Sequence, residues 1–158
     1  MTWLAIERSP GSSELDALLV LHPETGDALR GLVSSAQASV EPAIFQLVVL
    51  RSAQILGVDR AVIEELVALD TAVSAHQVAT LHNWPASDAF AAKERLALAY
   101  AEQFVIDHTL LGDADIARML EAFSVSEFFR LQVSIGIIER VLRVCRLFEI
   151  TPMKGRVS

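Results

Sequence analysis

Apolar positions recur three and four residues apart along most of this chain, and that spacing predicts helices. No segment sustains an alternation of apolar and polar residues between hairpin turns, so no sheet is expected. A short amphipathic piece over about 13–21 stops at "HPETG", and a second helix spans roughly 24–38. Pro42 suits a first helical position, and the apolar helix it opens, 42–56, runs to Gly57, a residue fitted to end a helix in the left-handed conformation. Asp59 can cap the next helix, about 59–73. "SAHQ", Ser74 to Gln77, has capping-box spacing and starts a short helix to about His82. "NWPASDAF" is a connector with turn residues, and from Ser87 within it a long helix is expected to about Asp107. Gly112 and Asp113 begin a helix to Phe123, and "SVSE", Ser124 to Glu127, begins a last long one to about Phe148. The tail "TPMKGRVS" is expected to be flexible.

One helix in this series breaks its own pattern. On a wheel of about 100° per residue, Arg60, Glu64 and Thr71 share a polar arc, while Val58, Ala61, Val62, Leu69 and Ala72 fall opposite. Glu65 falls among the apolar set, in line with Val58 and Ala61. A carboxylate on an apolar face is costly unless it is paired, hydrogen-bonded or protonated. Two readings follow. Glu65 pairs with an arginine of another helix or subunit or reaches out to the edge; or it is a proton donor or acceptor, because burial without a cation moves carboxyl titration toward neutrality.

Composition narrows the function classes. The 158 residues are expected to form a single domain, 1–158, long enough to bury a core without staples. They are 53% hydrophobic with a mean hydropathy of +0.42, yet no apolar run approaches the roughly 18 residues of a membrane helix. "IFQLVVL" at 44–50 is among the longest and ends at Arg51. No membrane partner is expected, and surplus apolar surface of this kind predicts a homo-oligomer. "MTWLAIERSP" lacks the basic and apolar regions of a signal peptide, so a cytoplasmic location is expected. Net charge is −7, and only Arg140, Arg143 and Arg146 cluster, which argues against nucleic acid. That trio reads as a solvated or interfacial helix face.

Candidate chemistry is sparse. The single cysteine, Cys145, allows no disulfide within the chain and no CxxC chemistry. The four histidines, His22, His76, His82 and His108, form no HExxH-type set, so no metal site is expected. There is no GxGxxG, P-loop or GxSxG signature, and no cofactor is expected. Glu139 and Arg143 have the spacing of a surface ion pair. Trp84 and Phe90 are expected to pack the connector onto the core.

Four segments in order carry a family resemblance: "QLVVLRSAQILGV" at 46–58, "WPASDAF" at 84–90, "KERLALAYAEQF" at 93–104 and "FSVSEFFRLQVSIGIIERVLRVCRLFEI" at 123–150. Over about 40–150 the chain resembles the carboxymuconolactone decarboxylase-like superfamily, in its alkylhydroperoxidase D-like (AhpD-like) branch. The resemblance implies an all-α fold with a central antiparallel helix hairpin lining a pocket. It also implies assembly as trimers or hexamers; the N-terminal helices over 1–39 and the tail at 151–158 fall outside the resembling core. The connector around Trp84 can approach the pocket mouth in such proteins. Peroxidase members carry Cys-x-x-Cys-x-x-x-His just after the glycine, where a helix N-terminus favours the thiolate. Here Val58 and Ala61 stand at the cysteine positions, Glu65 at the histidine, Arg60 between the cysteines, and Gln46 at an upstream relay glutamate.

Thiol peroxidase activity is therefore not expected. The residues point first to a cofactor-independent enzyme, such as a decarboxylase or isomerase, acting on a small, partly apolar metabolite. Glu65 would be its general acid or base. Gln46 and Arg60 would orient the ligand or stabilise developing negative charge, and Val58 and Ala61 would supply an apolar contact. The alternative is a non-catalytic member that binds a ligand or a partner protein.

Overall fold

The structure, a computed structural model, describes residues 12–69 and 71–152. Among these residues there are eight α-helices, two 3-10 segments and no strand, as the helical periodicity requires. The order is α1 (Glu14–Val20), α2 (Pro23–Ser39), α3 (Pro42–Leu56), α4 (Arg60–Leu66), α5 (Ala75–Thr80), α6 (Ala92–Asp107), α7 (Asp113–Ala122) and α8 (Val125–Leu147). The 3-10 segments are Leu81–Ala86, after α5, and His108–Leu110, between α6 and α7. The expectations for 1–11 and for the tail beyond Pro152 concern residues outside the described ones.

The central element is α3. Residues 44–50 are all buried, which is what an all-round apolar helix demands. Its sides serve three clusters. Phe45, Val49 and Ala53 pack with Val33, Val62, Ile63, Leu142 and Cys145. Ile44 and Val48 pack with Ala97, Ala101, Met119 and Ile135. Leu47 and Leu50 pack with Leu81, Phe90 and Leu98. Each buried aliphatic side chain contributes about 1.5–3 kcal/mol, so α3 is the element to which α4, α6 and α8 are fixed.

The turn after α3 is a Schellman motif, with Gly57 at φ 67° and ψ 37°. The N–H of Val58 donates to the Ala53 carbonyl at 3.0 Å and that of Gly57 to Gln54 at 3.4 Å. Asp59 then caps α4, its Oδ1 accepting from the Ala61 N–H at 2.8 Å. Sequence and structure agree closely through this junction. The capping boxes at Ser74–Gln77 and Ser124–Glu127 are also present.

Two expected helices differ. The one drawn over 59–73 ends at Leu66, and Val67 is extended. Val67 is buried in the α3–α8 cluster and Val73 in the α3–α6 cluster, with Leu69 touching both. Val67 and Val73 thus reach different clusters, and the Ala68 carbonyl accepts from the Gln37 side chain at 2.8 Å. Burial of β-branched residues overrides the helical pattern there. The second arm of the hairpin is accordingly only two turns long. The helix expected from Ser87 starts instead at Ala92, because Glu94 reaches back to the Ala91 N–H at 2.8 Å and Ser87 accepts from Ala89 within the connector.

Candidate functional site

Glu65 lies in the last turn of α4. Val62 and Ile63 are fully buried, and with Leu66 they define the side of α4 that meets the core. At about 100° per residue, Glu65 is roughly 100° from the middle of that face. It therefore sits at the flank, half-buried, rather than at the centre of an apolar stripe. Its Oε2 is nevertheless withdrawn from solvent.

The group near it on the facing helix is Cys145 of α8, buried in the same cluster as Val62 and Ile63. Burial pushes the Cys145 thiol up to about 11, and the negative charge of Glu65 adds to the rise. The thiolate needed for peroxide chemistry is disfavoured on both counts. Arg146, the next residue, covers the turn between the arms: its Nε lies 3.8 Å from where a Cβ on Gly57 would be. The basic trio of α8 thus supplies the cation that overlies the hairpin turn, a placement its sequence neighbours do not indicate.

The other candidates fall in different places. Gln46 is buried in α3, on the other arm of the hairpin. Val58 is half-buried against the α3–α8 cluster, and Ala61 is half-buried one turn before Glu65. Arg60 projects outward, its Nε donating to Glu64 Oε1 at 2.9 Å in an exposed i, i+4 pair. The structure brings Glu65 to the Cys145 side of the hairpin and leaves Arg60 on the solvent face.

A polar cluster that sequence reasoning did not single out lies between α3, α6 and the connector. Arg51 donates from its terminal nitrogen to Glu102 Oε1 at 2.8 Å and from Nε to Oε2 at 3.3 Å. Trp84 Nε1 donates to the same Oε2 at 2.7 Å. Arg51 also donates to Gln54 Oε1 at 3.2 Å and the His82 carbonyl at 3.5 Å. Burial pushes the Glu102 carboxyl upward, but the hydrogen bonds from Arg51 and Trp84 and the Arg51 charge outweigh it and hold it below its ordinary value. Arg95 of α6 completes the join, donating to the carbonyls of Trp84, Pro85, Ser87 and Phe90. The signal was in the sequence: Arg51, Trp84 and Glu102 belong one each to the first three segments that carry the resemblance.

Trp84 and Phe90 do pack the connector onto the core, and Glu139 pairs with Arg143 as the spacing suggests. Arg143 also donates to the Val105 carbonyl at 2.9 Å, tying α8 to α6. His22 caps α2, whereas His76, His82 and His108 are exposed. Among the described residues no group of three or more histidine, cysteine or acidic side chains is arranged to hold a metal. No described helix is long and apolar enough to cross a membrane.

No protein-family model matches the chain, and no curated protein matches it. Solved structures do. A protein of unknown function from Agrobacterium tumefaciens, provisionally assigned as an antioxidant defence protein AhpD, superposes with a TM-score of 0.71 at 21% identity, over 86% of this chain and 95% of that one. An uncharacterised peroxidase-related protein from Silicibacter sp. TM1040 superposes with a TM-score of 0.73 at 12% identity, over 90% of this chain and 77% of that one. With its helical architecture, its glycine-turned hairpin and these two likenesses, the chain has the AhpD-like fold.

Proposed function

We propose that this protein is a cofactor-independent enzyme that moves a proton on a small, partly apolar metabolite, with Glu65 as the acid or base. The observation that carries the reading is the setting of Glu65. Its carboxyl is half-buried, with one oxygen withdrawn from water, and the family resemblance of the sequence implies that this position matches the histidine of peroxidase members. Val58 and Ala61 offer apolar contacts beside it, and the buried Gln46 amide lies on the facing arm. Arg60 can contribute only by releasing Glu64. Decarboxylation and isomerisation both need such a group. Peroxidase chemistry is disfavoured by the buried, high-pKa thiol of Cys145. Self-association belongs to the same proposal: Val125, Phe129 and Val133 form an exposed apolar line on α8, suited to a second copy of the chain.

The test is solvent-deuterium incorporation into a panel of small lactones and oxo-acids, followed by NMR for wild type and Glu65→Gln. The expected result is exchange at carbon adjacent to a carbonyl by the wild type, lowered about 100-fold or more in the variant. Equal rates in both proteins would remove Glu65 from the chemistry. A second reading, a non-catalytic binding protein, draws on the outward pairing of Arg60; it predicts that compounds bind without any exchange.

A further inference from the structure

The α6–α7 layer contains a cleft of about 240 Å³ that does not reach Glu65. Its apolar wall comes from Leu96, Leu111 and Met119, and Tyr100, Asp115 and Arg118 bring polar groups to it. An enclosed apolar cavity of about 150 Å³ is enough to hold benzene; this cleft is larger, but partly open and partly polar. This one has room for a single ring with a short substituent.

Tyr100 gives the cleft its chemical preference. Its ring is fixed edge-on against Phe128, centroids 5.2 Å apart at 84°, and the residue is otherwise buried. The hydroxyl makes no hydrogen bond to another described residue. Burial and the negative charge of Asp115 push its titration further up, so the hydroxyl stays protonated and is able to donate. Asp115 is itself occupied, accepting from the Gly112 N–H at 3.0 Å and from Arg118. Asp115 and Arg118 neutralise each other at the cleft, so a bound ion of either sign would have to break that pair to reach its counter-charge. The best match is neutral, apolar over most of its surface, and able to accept one hydrogen bond.

We infer that the α6–α7 cleft is a second ligand site, distinct from the Glu65 region, for a small uncharged ring compound whose carbonyl oxygen accepts from the Tyr100 hydroxyl. Acetophenone is a suitable probe, with benzoate as its charged counterpart of the same shape. Binding is followed by methyl and amide chemical shifts of the full-length protein. Acetophenone should shift Leu96, Leu111 and Met119 with a Kd of about 1 mM, as expected for so few atoms. Benzoate should bind about ten-fold more weakly. Tyr100→Phe, which keeps the ring and its contact with Phe128, should weaken acetophenone about five-fold by removing one hydrogen bond. Ala99→Phe, which fills the cleft from its rim, should abolish the shifts. The inference is overturned if the shifts map elsewhere, if Tyr100→Phe or Ala99→Phe leaves the affinity unchanged, if benzoate binds as well as acetophenone, or if the cleft signals move only with protein concentration, which would mark it as a contact between copies. None of these readouts depends on Glu65.

Discussion

At the scale of single residues, the hairpin turn and the single thiol, Cys145 in α8, are different matters. Positions 58 and 61 hold aliphatic side chains beside the N-terminus of α4. The thiol of Cys145 is buried and faces a carboxylate. In native protein at pH 8, where a pKa of about 11 leaves little thiolate, Cys145 should react with a thiol reagent at least 100-fold more slowly than in urea. Fast native reaction would show a more accessible thiol and would reopen peroxide chemistry. The approximate site of Glu65 was legible in the sequence, because a charge among apolar positions stands out on any wheel. Its depth was not. Whether such a side chain sits at the centre or the flank of a buried face depends on Ile63, and Ile63 became a core residue only through the way α4 meets α3 and α8.

At the scale of elements, the resemblance segments are joined by a charge cluster. Arg51, Glu102 and Trp84 hold the connector against α3 and α6, so these motifs describe how the fold is closed as much as what it does. Glu102 has a lowered pKa in the folded protein. Its contribution to stability is therefore complete above the unfolded value near 4.5 and is lost as pH falls through the folded value. In a Trp3→Phe background, Trp84 emission should shift to the red as pH falls below about 4.5, and Glu102→Gln should show much of that shift at pH 7. A Trp84 spectrum that is flat across this window in both proteins would mean that the cluster does not hold the connector. Local signals for caps and for the left-handed glycine identified α3, α5, α7 and α8 to within a residue or two. They misjudged α4, where Val67, Leu69 and Val73 leave the helix to reach two separate clusters. No local signal encodes that division of a segment between two cores.

At the scale of the whole molecule, large apolar side chains are exposed in more than one place. Beyond the α8 line of Val125, Phe129 and Val133, Ile106, Leu110, Ile116 and Leu120 are exposed around α6 and α7. On the proposed self-association, light scattering should give a mass that is a multiple of 17.2 kDa. Phe129→Glu should lower that mass while leaving the far-ultraviolet spectrum unchanged. A 17.2 kDa species for wild type at micromolar concentration would leave the α8 line without a second copy.

The two-turn length of α4 has a further consequence. Seven residues are too few to hold helical shape in water, so α4 persists because Val62 and Ile63 are docked between α3 and α8. The carboxylate of Glu65 thus takes its aim from two helices to which it does not belong. Substitutions at α3 or α8 positions remote from it, such as Val49 or Leu142, would loosen that aim before they unfolded the protein. If Glu65 has its proposed role, the same arrangement gives natural variation an easy route for retuning it without altering it.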